Sequence, residues 1–126
     1  MLIVVKIPPD NHLYRRVSDE CFDAPSGKCT EGAFLLRLDR GETDLSVDWA
    51  ERGNIHISCV DYRTKKKFKI AELLVQVPLD LGLAVDYTPR KHNTAHTSIS
   101  GKDLFDEVER FIKASELADK SVMRFP

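Results

Sequence analysis

The residues whose side chains are best suited to catalysis lie in one polar run, residues 91–98, which holds two histidines. His92 and His96 are four positions apart, so an extended or a helical backbone turns both imidazoles to the same side. Imidazole titrates near neutral pH, and the run therefore predicts His96 as a general acid or base and His92 as a binding residue. A hydrogen bond from His96 to the backbone at a sheet edge is the structural alternative.

The same histidine pair lacks the pattern of a metal site. Zinc peptidases place a glutamate directly after the first histidine of the motif, whereas Asn93 follows His92 here. The sequence offers no obvious third ligand. We therefore predict no metal and no cofactor, and we expect Asn93 to orient a substrate beside His96.

A second candidate site begins at residue 13, where Leu13-Tyr14-Arg15-Arg16 sets an aromatic ring beside two guanidinium groups. Guanidinium groups bind carboxylates and phosphates through paired hydrogen bonds, so Tyr14, Arg15 and Arg16 are predicted to form an anion site. The alternative is a pair of surface arginines that meet Asp or Glu side chains across the domain.

Residues 63–69 form the most basic segment, with five positive charges in seven positions. A cluster of this kind suits the phosphate backbone of a nucleic acid. A solvated turn whose lysines protect the edges of neighbouring strands is the alternative. The predicted contacts for nucleic acid are Arg63, Lys65, Lys66 and Lys67, with Lys69 next to them.

Alternating and β-branched runs predict the strands that have to position these side chains. The clearest is Leu45–Trp49, where apolar residues alternate with Ser46 and Asp48. Residues 8–31 lack a sustained period and are predicted to be a long loop. The segments expected to be strands are 2–7, 33–38, 45–49, 55–60, 68–77 and 83–87.

The C-terminal part of the chain predicts an amphipathic helix at about residues 101–118. Its apolar residues recur at helical spacing, and Ser100 with Asp103 matches a capping box at the start. The apolar stripe consists of Leu104, Phe105, Val108, Phe111 and Ile112. Strands followed by one helix indicate a single α+β domain over residues 1–126, a mostly antiparallel sheet of about five strands with the helix packed on one face.

The composition is that of a globular protein rather than of a disordered or collagen-like chain. Of 126 residues, 42% are hydrophobic and 31% are charged. Lysine and arginine number 19 against 20 aspartate and glutamate residues, a net charge of −1, so any basic contact with nucleic acid has to be a local patch. The sequence has no glycine-rich nucleotide loop, nucleophile elbow or kinase signature, which excludes the common nucleotide folds and hydrolases.

The cysteines and the first residues predict a cytoplasmic protein without membrane association. Met1–Ile7 is apolar but lacks a basic leader, and Pro8 and Pro9 end it well short of the about 20 residues that a membrane span needs. The three cysteines are an odd number without a Cys-x-x-Cys pair, which favours free thiols over a disulfide framework.

Four short segments, LYRR at 13–16, AF at 33–34, LSVD at 45–48 and NTAH at 93–96, together resemble a loosely defined set of short, uncharacterised bacterial proteins. Thr94 stands where those proteins usually have proline. The resemblance implies a bacterial cytosolic protein from a mobile-element or defence-related locus, and it implies no particular activity. The residues that it singles out are Arg15, Ser46, Asp48, Asn93 and His96.

Two functions are consistent with these features. The first is a non-enzymatic interaction module whose edge strand or basic turn engages a protein or a nucleic acid, and it is preferred because no strong catalytic motif is present. The second is an enzyme that acts on a phosphate-bearing small molecule or a nucleic acid, with Arg15 or Arg16 holding the anion and His96 as acid or base. In such an enzyme Asn93 or Ser46 orients the substrate, and the groups that act together must share one pocket.

Overall fold

A computed structural model describes residues 5–126 of the chain. They contain eight strands, three α-helices and five 3₁₀ turns. The strands are β1 His12–Val17, β2 Phe22–Asp23, β3 Lys28–Cys29, β4 Leu45–Trp49, β5 Lys69–Leu74, β6 Ala84–Tyr87, β7 His96–Ser100 and β8 Val122–Arg124. The helices are α1 Ile55–Ser58, α2 Gln76–Asp80 and α3 Glu109–Lys120. The predicted single α+β domain is confirmed.

Six of the strands form one antiparallel sheet in the order β6-β7-β4-β1-β5-β8, and β2 pairs with β3 in a separate hairpin. The sheet therefore has one strand more than the about five that the sequence predicts. The strands predicted at 45–49 and 83–87 are confirmed as β4 and β6. β1 lies between β4 and β5, so the segment around residue 15 is at the centre of the sheet.

Alternation along the strands separates an apolar face of the sheet from a polar one. On β4, Leu45 and Val47 are buried in the core, whereas Ser46 lies on the opposite face and is exposed. α3 covers the apolar face through residues such as Ala114 and Leu117, which belong to the same core cluster. Burial of each large apolar side chain contributes about 1.5–3 kcal/mol, so this face supplies the stability of the domain.

α3 is confirmed as a C-terminal helix on one face of the sheet, but it starts later than predicted. It begins at Glu109, where the carboxylate of Asp106 accepts hydrogen bonds from the backbone N–H groups of Val108 (2.9 Å) and Glu109 (2.8 Å). Asp106 rather than Ser100 is therefore the capping residue. Residues 102–104 form a separate 3₁₀ turn.

The apolar stripe that was expected to pack on the sheet is mostly exposed. Its exposed members are Phe105 (47%), Val108 (65%), Phe111 (43%) and Ile112 (47%). The buried residues of the helix are instead Ala114, Leu117 and Ala118. Small alanine side chains let the helix approach the sheet closely, and periodicity alone does not tell which of two apolar sides will pack.

Two predicted strands are wrong because tight turns replace them. Residues 33–38 lie across two 3₁₀ turns, Glu31–Phe34 and Leu38–Arg40. Ala33, Phe34 and Leu36 are buried, whereas Leu38 is exposed. Residues 55–60 contain α1, whose start is capped by the side chain of Asn54. A short apolar run fits a buried turn as well as a strand, which is why the pattern misled.

The remaining differences concern three predicted segments, 68–77, 8–31 and 2–7. Residues 68–77, predicted as one strand, hold β5 and then turn into α2. The predicted loop 8–31 is wrong, since it contains β1 and the β2–β3 hairpin. Of the predicted strand 2–7, residues 2–4 lie outside the described residues, and residues 5–7 are not paired in the sheet.

Candidate functional site

Polar side chains of β4 and β7 face each other on the side of the sheet away from α3. The register pairs Ser46 with Ser98 and Asp48 with His96. Asp48, His96 and Ser98 are buried, whereas Ser46 is exposed to solvent. Two residues of the segment that joins β6 to β7 complete the group. We refer to Ser46, Asp48, Thr88, Asn93, His96 and Ser98 as the polar cluster.

The contacts of His96 favour one tautomer of its ring. Its Nδ1 lies 3.0 Å from the carbonyl oxygen of Thr88 and 2.9 Å from the hydroxyl of the same residue. A carbonyl oxygen only accepts, so Nδ1 bonds to it only in the tautomer that carries the hydrogen on Nδ1, and we assign that tautomer because it gives both ring nitrogens a partner. Nε2 is then a free acceptor, and the hydroxyl of Ser46, 3.2 Å away, donates to it. The Thr88 hydroxyl in turn lies 2.9 Å from that of Ser98.

The surroundings of His96 keep its imidazole neutral. Burial lowers the pKa of His96 below its ordinary value, and the positive charge of Arg90 acts in the same direction. The hydrogen bond to the Thr88 carbonyl and the negative charges of Asp48 and Asp44 oppose this shift without reversing it. At neutral pH the ring can therefore accept a proton, which is the property of a general base.

Asn93 ties the β6–β7 segment to β4. Its Nδ2 donates to the carboxylate of Asp48 at 2.7 Å, and its side-chain oxygen accepts the backbone N–H of Ala95 at 3.2 Å. Asn93 also closes a tight turn with Arg90 through two backbone hydrogen bonds of 2.9 and 3.0 Å. The start of β7, and with it the position of His96, thus depends on this amide.

Arg15 lies on the other face of the sheet. It lies on the same face of β1 as the buried Leu13 and Val17, and its partner on β5 is the buried Ala71. Its guanidinium donates to the carbonyl oxygens of Ala33 and Ser46, each at 2.8 Å, and burial lowers the pKa of Arg15 to about 10. Arg15 touches the backbone of Ser46 but does not reach His96, so the two predicted partners are not brought into one pocket.

Arg16 and Tyr14 lie on the face of the polar cluster, next to it rather than in it. The Arg16 guanidinium donates to the carbonyl oxygens of Ser58 (2.7 Å) and Val60 (2.9 Å). Arg16 therefore holds the segment that leads into the basic turn against β1. Tyr14 is paired with Asp48 across β4, and burial raises its pKa.

The basic turn is built around Asp61. Its carboxylate accepts the backbone N–H groups of Arg63 (2.8 Å) and Thr64 (3.1 Å), which leaves the following basic side chains pointing into solvent. Lys65 adopts a left-handed backbone conformation with φ of 62°. Such a turn displays its lysines outwards in a fixed loop.

An aromatic contact joins this turn to the β6–β7 segment. The rings of Tyr62 and His92 stack with centroids 5.1 Å apart and planes inclined by 29°. We refer to Tyr62, Arg63, Lys65, Lys66, Lys67, Arg90, Lys91 and His92 as the basic surface; all are exposed. Within residues 5–126, no carboxylate lies within 4.0 Å of the charged groups of its lysines and arginines.

The predicted site residues thus separate into groups. Those that meet in the polar cluster are Ser46, Asp48, Asn93 and His96, and those in the basic surface are Arg63, Lys65, Lys66, Lys67 and His92. Sequence reasoning missed Thr88, Arg90 and the role of Tyr62. Alternation from His96 would have pointed to Ser98, whereas no local signal links Thr88 to His96.

Three further observations complete the description of the site. Among the residues that the structure describes, no group of three His, Cys, Asp or Glu side chains is arranged to hold a metal ion. None of the helices within 5–126 has the length and apolar character of a bilayer-crossing helix. No protein-family model, curated protein or solved structure matches the chain.

Proposed function

We propose that this protein is a nucleic-acid-binding module and that the basic surface is the contact. The observation that carries the proposal is the stack of Tyr62 on His92, which unites two positively charged segments, 63–67 and 90–92, that are distant in the sequence. Lysine and arginine neutralise phosphates, and exposed rings stack on bases. The two kinds of group occur here side by side.

The distribution of charge supports binding on one side of the molecule. The net charge is −1, so the positive charge of the basic surface is balanced by carboxylates elsewhere. Residues 102–120, around α3 on the opposite face of the sheet, hold six carboxylates against four lysines and arginines and are therefore net negative. A polyanion is therefore attracted to the basic surface in preference to the α3 side.

A single strand suits this surface better than a duplex. Tyr62 is 52% exposed although it is stacked on His92, so part of the ring is accessible to a base. The bases of a duplex are already stacked on one another and offer no free face to a side chain. We therefore expect a preference for single-stranded RNA or DNA.

The first test removes the charge of the turn. We expect the triple substitution Lys65→Glu, Lys66→Glu and Lys67→Glu to weaken binding of a labelled single-stranded oligonucleotide by about tenfold or more. The slope of log affinity against log salt should fall by about 2, since each lost phosphate contact removes about 0.7. Fluorescence anisotropy over a salt series measures both quantities.

The matched control makes the same change of charge elsewhere. Arg40, Lys102 and Lys120 are exposed and lie outside the basic surface, and their replacement by glutamate should leave the affinity within about twofold. Equal losses in the two triple variants would show that only the net charge matters. Binding without salt dependence would contradict the proposal directly.

The second test concerns the ring. Tyr62→Ala should weaken binding by about tenfold, because stacking of one base is worth about 1–3 kcal/mol, whereas Tyr62→Phe should retain the affinity. A loss in both variants would point to the hydroxyl rather than to stacking.

The biological setting is also proposed. The LYRR, LSVD and NTAH segments and the free thiols of Cys21, Cys29 and Cys59 support a bacterial, cytoplasmic protein from a mobile-element or defence-related locus. A protein partner for an open edge of the sheet, at β6 or β8, would be consistent with the same setting.

A further inference from the structure

The polar cluster contains a hydroxyl in contact with a base whose orientation is fixed. Ser46 Oγ lies 3.2 Å from His96 Nε2, and the Nδ1 of the same ring donates to the Thr88 carbonyl oxygen at 3.0 Å. His96 is 5% exposed, whereas Ser46 is open to solvent. A reactant can therefore reach the hydroxyl while the imidazole behind it stays shielded from water.

We propose that Ser46 is a nucleophile, activated by His96 as general base, that attacks the phosphorus of a phosphate ester. A nucleophile and a base within hydrogen-bond reach, with the base oriented by a third group, is the arrangement that such chemistry needs. Here the third group is the carbonyl oxygen of Thr88. Thr88 is a positioning residue, since it acts on the reaction through His96.

The step balances without a redox change. The bond from Ser46 Oγ to phosphorus forms as the phosphorus–oxygen bond to the leaving alcohol breaks. The hydroxyl proton moves to His96 Nε2 and then to the leaving oxygen. In the second half of the reaction, water attacks the phosphorus of the phosphoserine and gives a proton to His96. The bond from phosphorus to Ser46 Oγ breaks, and Ser46 Oγ takes that proton back from His96.

The choice of a phosphate ester comes from the neighbouring positive charge. Arg90 shares a tight turn with Asn93, and its positive charge contributes to lowering the pKa of His96. The basic surface is thus joined to the polar cluster through the Arg90–Asn93 turn and the hydrogen bond of Asn93 to Asp48, so an anionic ester attracted to it is brought towards the cluster. This substrate class rests on the proposed function, whereas the reactivity of Ser46 does not.

The test uses an uncharged alkyl fluorophosphonate, which presents an electrophilic phosphorus and releases fluoride on attack. We expect mass-spectrometric peptide mapping to find the adduct on Ser46, at about tenfold or more the level on Ser26 and Ser115. Those two serines are exposed and serve as internal controls. Ser46→Ala should abolish the adduct, and His96→Gln should slow it by about a hundredfold.

A second measurement does not depend on a variant that keeps its fold. The rate of labelling of the wild-type protein should rise with pH as His96 loses its proton and level off at neutral pH. The charges that face this ring are those of Arg90, Asp48 and Asp44. A pH-independent rate, full labelling of folded His96→Gln, or equal labelling of Ser46 and Ser115 would overturn the proposal.

The variant with glutamate at residues 65, 66 and 67 separates the two proposals. It should lose affinity for the oligonucleotide but keep labelling of Ser46, because the probe carries no charge. If labelling fails while the wild-type protein binds nucleic acid, the nucleophile is wrong and the binding module stands. If labelling occurs without binding, the nucleophile stands and the choice of substrate is wrong.

Discussion

The two faces of the β4–β7 pair are made from alternate residues of the same two strands, yet they have different roles. One face pairs Leu45 with Ile99 and lies in the core under α3. The other pairs Ser46 with Ser98 and carries the hydroxyl that contacts His96. Since neighbouring positions point to opposite faces, substitutions one residue apart can separate stability from chemistry.

The polar face can be buried because its groups have partners. Both ring nitrogens of His96 are hydrogen-bonded, and the carboxylate of Asp48 accepts the amide of Asn93. A buried polar group without a partner costs about 1–3 kcal/mol, so an incomplete network would destabilise the sheet. The cluster is thus a satisfied network that reaches solvent at Ser46 and Thr88.

The largest expected effect compares adjacent residues of β7. Ile99→Ala should lower the free energy of unfolding by about 3 kcal/mol, because a fully buried side chain leaves a cavity. Ser98→Ala should cost about 1 kcal/mol, since it removes one hydrogen bond to Thr88. Urea denaturation measures both values, and similar losses would contradict the division between the faces.

An intermediate effect is expected for Arg15, which supports the core face. Arg15→Met should cost about 2 kcal/mol, because the carbonyl oxygens of Ala33 and Ser46 lose their donor. Arg63→Met, on the exposed turn, should change stability by less than about 0.5 kcal/mol. Oligonucleotide affinity should follow the reverse order, with Arg63 important and Arg15 neutral; an equal effect on affinity would undermine the placement of the contact.

The smallest effect is a pH dependence that belongs to the polar face. The folded protein lowers the pKa of His96, so the unfolded chain takes up the proton more readily as the pH falls through about 6.5. This contribution to stability is complete above the unfolded pKa and is lost as the pH falls towards the folded one. Urea denaturation at about pH 7.5 and pH 5 should show a smaller decline for His96→Gln than for wild type.

The other histidines and the carboxylates are common to both proteins, so the difference between the two declines isolates His96. The same decline in both would show that folding does not lower the pKa of His96.

Local patterns predicted the elements whose signal is local. The alternation of Leu45–Trp49 gave β4 its bounds, and the C-terminal periodicity indicated a helix. β1 was missed because Arg15 lies on the core face of the strand, between the buried Leu13 and Val17, where an apolar residue is expected. Only the carbonyl oxygens of distant Ala33 and Ser46 make that position tolerable, and no local pattern shows them.

The candidate site, too, was predicted only where its signal is local in the sequence. Residue type pointed to His96, and alternation placed Ser46 and Asp48 together on one side of a strand. Their meeting depends on the register between β4 and β7, which is set by long-range packing. The contact of Tyr62 with His92 joins two turns across the fold, so the basic surface was visible only in part from residues 63–69.

The central claim, that single-stranded nucleic acid lies on the basic surface, is tested most directly by ultraviolet crosslinking of a bound oligonucleotide and peptide mapping. We expect crosslinks at Tyr62 and His92; in Tyr62→Ala the first is lost and the second is weakened. Crosslinks at the exposed rings of Phe105 and Phe111, on the acidic side of the molecule, would contradict it.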